Sequence, residues 1–181
     1  MRKLTMEELN RLNVEDYKVS SKTPLIFALD NVRSMHNVGS AFRTADAFRI
    51  EKILLGGITG CPPHREINKT ALGATETVDW EHSPNLTDAI KILREQGYNI
   101  VSFEQTDQSI PLHQFMPNVQ EKYCFIFGNE AFGIEDAVLE HTDICIEIPQ
   151  FGTKHSLNVA VSMGIAIWDF YSKTIFNHKP L

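Results

Sequence analysis

The stretch Pro24-Leu25-Ile26-Phe27-Ala28-Leu29-Asp30, then Asn31-Val32-Arg33-Ser34-Met35-His36, then Asn37-Val38-Gly39-Ser40-Ala41-Phe42-Arg43-Thr44-Ala45-Asp46-Ala47-Phe48, decides the fold class. Its first part is an apolar run closed by an acid, the pattern of a strand buried on both faces. The middle part is a polar connection. In the last part Val38, Ala41, Phe42 and Ala45 recur at i, i+3, i+4 and i+7, the stripe of an amphipathic helix. Arg43 stands about 140° round from Val38 at about 100° per residue, so it is not on the core-facing side. A doubly buried strand leading into a helix is the unit of a parallel sheet.

The same alternation runs outward from this unit. Ile53-Leu54-Leu55 reads as a strand, followed by a long loop with Gly56-Gly57, Gly60 and Pro62-Pro63. A short helix near 67–72 and a strand near 77–80 follow. Leu86, Ala89, Ile90 and Leu93 place a helix over 85–96, which Gly97 stops. Residues 99–103, 123–127 and 143–148 read as strands, and a last helix runs from Ser156, a natural N-cap, to about Tyr171. Upstream, Thr5-Met6-Glu7-Glu8 matches a capping box and predicts a short helix to about Asn13. The expected architecture is α/β, a mainly parallel sheet with helices on both faces. There is no repeat or linker, so residues 21–181 form one domain behind a helical extension over 1–20.

Composition bounds the function. With 43% hydrophobic and 22% charged residues in 181, the chain builds an ordinary core and is neither disordered nor a disulfide scaffold. The longest apolar stretch, 157–170, is too short for a bilayer span and is broken by Asn158, Ser162 and Asp169. No apolar run follows the N-terminal charges, so no signal peptide is expected. Three dispersed cysteines, with Cys124 and Cys145 read as buried thiols, fit a reducing cytoplasm. The net charge of −6 argues against a protein that coats nucleic acid indiscriminately. Residues 1–50 carry a net +2 and residues 51–181 a net −8, so a basic face is local or assembled from two subunits.

The unusual residues fall in three loops that follow strands, where open parallel sheets bind ligands. Asn37 and Arg43 follow the first strand, Gly128-Asn129-Glu130 the fifth, and Phe151-Gly152-Thr153-Lys154-His155-Ser156-Leu157-Asn158 the sixth. Taken singly each has a bland reading: a helix cap at Asn37, a solvated charge at Arg43, an ordinary turn at Gly128. His36, His64 and His155 lack metal-ligand spacing. Neither a dinucleotide fingerprint nor a Walker sequence is present. No serine sits in a nucleophile elbow, and Cys61 has no activating partner.

Taken together, the segments 37–48, 127–134 and 148–162 resemble, in order and spacing, the three motifs of the SpoU (TrmH-type) family of RNA ribose 2′-O-methyltransferases in the SPOUT superfamily. The resemblance spans about 24–171 and implies a C-terminal deep trefoil knot, S-adenosylmethionine bound in the knot loops, a homodimer and no metal. It casts Arg43, Asn37, Glu130, Ser156 and Asn158 as the catalytic set. A guanidinium holds its proton under nearly all protein conditions, so Arg43 is read as a lasting cation that stabilises the developing alkoxide. Glu130 would orient Arg43, or hold Asn37 and the backbone around it. Phe103, Glu104, Gly128, Ile148, Ser156 and Leu157 are the expected cofactor-binding residues, with Gly128 admitting close approach for want of a Cβ. Arg33, His36, Arg49, Lys52, Arg65, Lys69, Lys154 and His155 are the candidates for RNA phosphates. The last helix, apolar nearly all round, calls for cover on both sides, and a partner subunit supplies it. With recognition left to the N-terminal helix and the loop at 57–75, transfer RNA is the expected substrate. The alternatives are base methylation on the same fold, or a non-catalytic RNA-binding dimer.

Overall fold

The computed structural model describes residues 1–5 and 7–176. In chain order its elements are α1 (Val14–Val19), β1 (Thr23–Asp30), α2 (Met35–Ala47), β2 (Ile50–Gly56), α3 (Arg65–Ala71), α4 (Ala74–Thr77), β3 (Asp79–Ser83), α5 (Leu86–Glu95), β4 (Tyr98–Phe103), β5 (Ile110–Pro111), β6 (Lys122–Phe127), α6 (Asp136–Leu139), β7 (Ile144–Glu147) and α7 (Val159–Tyr171). The strands form one sheet in the order β3-β2-β1-β6-β4-β7-β5. Every pairing is parallel, and Phe27 of β1 stands opposite Ile53 on one side and Phe125 on the other.

The doubly apolar reading of β1 explains its central place. Leu25, Phe27 and Leu29 enter a core with Val38 and Phe42 of α2 and Met163 and Ile167 of α7. Ile26 and Ala28 enter a second core, on the other face, with Ile90 and Leu93 of α5 and Val138 of α6. Helices thus cover both faces, as expected. Each fully buried Phe, Leu or Ile contributes roughly 1.5–3 kcal/mol against leaving it in water.

Four local expectations are corrected. The Thr5–Glu8 capping bonds both form, Thr5 N–H to Glu8 Oε2 at 2.8 Å and Glu8 N–H to Thr5 Oγ1 at 3.3 Å, yet residues 7–10 make only a turn. Leu9 and Leu12 lie exposed, so no packed face sustains a short helix there. The helix of this region is α1, capped by Asn13, with Tyr17 buried against the body. The N-cap of α2 is Ser34, not Asn37. The N-cap of α7 is Asn158, whose side chain accepts from Ala160 and Val161, not Ser156. Cys145 is half-buried, whereas Cys124 is fully buried and its thiol pushed up by that burial. A short strand, β5, was absent from the sequence pattern because two residues carry no periodicity.

Candidate active site

Parallel pairing puts the carboxyl ends of β1, β4, β6 and β7 at one edge, and the segments after β4, β6 and β7 line a cleft of about 580 Å³ there, while the loop after β1 with Asn37 lies outside the lining. All six expected cofactor-binding residues, Phe103, Glu104, Gly128, Ile148, Ser156 and Leu157, line it, together with Glu130 and Asn158 of the expected catalytic set. Phe103 and Phe127 stack at 4.9 Å with 16° between planes, a flat apolar pair in the lining.

One chain of hydrogen bonds joins the three loops. Asn158 Oδ1 caps α7, and its Nδ2 donates to Asn37 Oδ1 at 3.1 Å. Asn37 Nδ2 donates to Glu130 Oε1 at 2.8 Å. Glu130 also accepts from the N–H groups of Arg33 and Ser34, each at 3.0 Å. Burial opposes the charge on Glu130, but these donors outweigh it and hold the carboxyl below its ordinary range. Asn37 is buried, with only 8% of its surface exposed, so its amide needs both partners.

A second set of bonds fixes the loop after β6. Asn129 Oδ1 accepts from Ala131 and Phe132 N–H, its Nδ2 donates to Asn31 O at 2.7 Å, and its backbone pairs with Gly133 in both directions at 2.9 Å. Glu104 Oε2 accepts from Ile134 N–H at 3.1 Å. Asp30, 1% exposed at the end of β1, accepts from Glu135 N–H at 2.7 Å and from the Asn31 amide. Burial raises the Asp30 carboxyl above its ordinary value. Sequence reading missed this support from Asp30 and the Glu104 side chain, since only the folded chain brings them to residues 134–135. The Asp30-Asn31 pair closing an apolar strand was the one available signal.

Gly128, besides lining the cleft, meets a demand of the fold. A Cβ there would lie 2.2 Å from Gly133 C and 2.3 Å from Ile134 N, so the glycine is demanded by the loop folding back on itself. Arg43 is exposed on α2 and does not line the cleft of its own chain, nor does Glu130 hold it. It lies six positions beyond Asn37, about 9 Å along the helix and about 120° round. The RNA candidates divide. Arg33 and Lys154 are exposed near the cleft, and His155 lines it. His36, Lys69 and Arg65 gather on Glu66, at 2.9, 3.8 and 3.9 Å. Lys52 pairs with Glu81 at 2.9 Å. Arg49 precedes β2, so it sits at the amino edge of the sheet, a strand's length of roughly 20 Å from the cleft edge. Among the described residues no three His, Cys, Asp or Glu side chains gather as metal ligands, and no helix is long and apolar enough to cross a membrane.

The model of the SpoU rRNA methylase family matches residues 24–168. The chain belongs to that family. It is 31% identical over 173 residues to the 23S rRNA (guanosine-2′-O-)-methyltransferase RlmB of Neisseria meningitidis, covering 95% of this chain and 68% of that one. An AdoMet-bound rRNA methyltransferase from Sinorhizobium meliloti superposes with a TM-score of 0.77 at 26% identity, over 84% of this chain and 57% of that one. The TrmH/SpoU tRNA-modifying enzyme of A. aeolicus shares the fold, with a TM-score of 0.78 at 23% identity over 88% and 80%. The chain spans 68% of the length of the Neisseria relative and 65% of the RlmB of Vibrio parahaemolyticus.

Proposed function

We propose that this family member is an S-adenosylmethionine-dependent RNA ribose 2′-O-methyltransferase that works as a cytoplasmic homodimer. The observation that carries the proposal is the Asn158–Asn37–Glu130 chain, which ties all three motif segments together beside one cleft. The cleft's chemistry fits the donor: Phe103, Phe127 and Leu157 offer apolar surface, while Glu104, Glu130 and Glu147 offer carboxylates toward a cation. Its volume lies within the range of small-molecule sites, roughly 300–1,000 Å³. When bound, S-adenosylmethionine supplies an electrophilic methyl group on a sulfonium.

The residues of the chain do the rest. Glu130, Asn37 and Asn158 hold the start of α2 against the start of α7 and so pre-position both loops. Ser156 and Leu157 present the third loop to the donor. Arg43 remains charged and stabilises the ribose oxygen as its proton leaves to water or an RNA phosphate. Arg43 is exposed and lines no part of its own cleft, which supports its delivery by a second copy. The stripe Val161, Ile165 and Trp168 on α7 supports that assembly, being exposed and apolar at i, i+4 and i+7. Gly164 beside it has nothing within 4 Å of a would-be Cβ, leaving room for close approach of a helix. Within this reading residues 21–181 are the methyltransferase domain and the C-terminal part is knotted. The sheet order, with β6 between β1 and β4 and β7 between β4 and β5, supports that threading.

Transfer RNA is the proposed substrate, and the Neisseria relative's name favours 23S rRNA as the second reading. The test offers both RNAs, taken from cells lacking the gene, with labelled donor, followed by nucleoside mass analysis. Label on a ribose 2′-oxygen is expected. Label on a base would move the assignment to base methylation, and failure to bind donor in calorimetry would favour a non-catalytic RNA-binding dimer.

A further inference from the structure

Asn31, just past the end of β1, has a left-handed backbone (φ 53°), and its half-buried side chain meets two other loops at once. Its Nδ2 donates to Asp30 Oδ1 at 2.8 Å and to Glu135 Oε1 at 2.9 Å. Its Oδ1 accepts from Ile58 N–H at 3.0 Å, in the loop after β2. Its backbone oxygen accepts from Asn129 Nδ2 at 2.7 Å. One residue thus joins the loop after β2 to the loop after β6, whose residues 128–133 line the cleft, while Asn31 itself lines no part of it.

The contacts on either side are close. Glu135 N–H donates to the second oxygen of Asp30, so the two carboxylates that share the Asn31 amide are also tied to each other. A Cβ on Gly57 would lie 2.1 Å from Asn31 Oδ1, so the loop after β2 sits directly on this side chain. Two residues on, Thr59 is 3% exposed; its Oγ1 accepts from Val32 N–H at 3.0 Å and donates to Leu29 O at 3.1 Å. Only an amide supplies two donors for the carboxylates and an acceptor for the N–H from one short side chain; an aspartate offers acceptors alone.

We propose that Asn31 is a positioning residue of the donor cleft, the point through which the loop after β2 and the loop after β6 set one another's geometry. Binding on one loop is then linked to binding on the other, equally in both directions. The loop after β2 leads into α3 with Arg65 and Lys69, so the linkage runs toward candidates for RNA phosphates. The inference rests on the methyltransferase reading above and adds to it a residue outside the three motif segments.

The test uses the full chain and S-adenosylhomocysteine as probe, with calorimetry and amide hydrogen exchange on wild type, Asn31→Gly and Asn31→Asp. Glycine suits the left-handed backbone, so Asn31→Gly is expected to stay folded yet bind the probe at least about fivefold more weakly, the low end of couplings between sites. Asn31→Asp keeps the acceptor for Ile58 but sets a third carboxylate against Asp30 and Glu135, and is expected to bind more weakly still. In wild type the probe is expected to slow exchange at residues 57–60 as well as 131–135; in Asn31→Gly it slows only 131–135. The proposal is overturned if the variants lose Tm but bind the probe like wild type, which is a purely structural role, or if the probe leaves residues 57–60 of wild type unchanged. Wild type that binds no probe contradicts the methyltransferase reading. Ligand-free exchange then decides the tie: faster exchange in both loops of Asn31→Gly supports it, and unchanged exchange overturns it.

Discussion

Glu130 keeps its charge because N–H donors from Arg33, Asn37 and Ser34 face it, and this has a consequence for pH. Its folded pKa lies below the unfolded value. The stabilisation is therefore fully present above the ordinary carboxylate value of about 4.3 and is lost as pH falls through the lower folded value. The Tm gap between wild type and Glu130→Gln is expected to hold above about pH 5 and to narrow on further acidification; a gap constant through that range, measured by circular dichroism, would contradict this. At Arg43, replacement by Ala is expected to lower turnover by about 10²–10³-fold, the range for losing one donor to a developing oxyanion. Arg43→Lys should recover only part, since it keeps the charge and loses the fork. Full turnover in the Lys variant, with unchanged RNA affinity, would remove the orientation role. Asn37, Glu130 and Asn158 were legible because their motifs are distinctive. The carboxylates of Asp30 and Glu104 were not, because an acid at a strand end acquires its role only from a loop about 30 or 100 residues away in sequence folding onto it.

The element that tests the packing is α7. Its buried face, with Met163, Ala166, Ile167 and Phe170, belongs to the core, while Trp168 on the other face is 58% exposed. Ile167→Ala is expected to cost about 2–5 kcal/mol of unfolding free energy. Trp168→Ala should stay within about 0.5 kcal/mol at concentrations where the chain is monomeric. Denaturant titrations decide, and equal losses at both positions would contradict the division of faces. Asn158→Ala removes the cap of α7 and the link to Asn37 together, for a loss of about 1 kcal/mol or more, with weakened donor binding in calorimetry. The apolar content of this helix was plain in the sequence, but its start was not. Ser156 and Asn158 are both good caps, and the choice is made by Asn37 of α2, which takes the Asn158 amide. Similarly, alternation identified six strands, while β5 escaped because it pairs with β7 over only two residues.

For the whole molecule, the parallel sheet and the cleft at its carboxyl edge followed from the order of strands and helices, whereas the position of Arg43 did not. Period alone put Arg43 off the core face without telling which cleft it serves. In the proposed function it serves the cleft of a second copy, across the surface bearing Val161, Ile165 and Trp168. Trp168→Glu is expected to leave a folded monomer with no methyl transfer, and sedimentation with an activity assay checks both parts; a fully active monomer would refute shared sites. The most direct measurement mixes two inactive variants, Arg43→Ala with an intact cleft and Leu157→Trp with its cleft filled, and lets subunits exchange. Only a mixed dimer that sends Arg43 of one copy into the cleft of the other can act. Methyl transfer to ribose is expected to return to about a quarter of wild type, since half the dimers are mixed and each holds one complete site. No return of activity, with mixed dimers demonstrated by native mass spectrometry, would contradict the account.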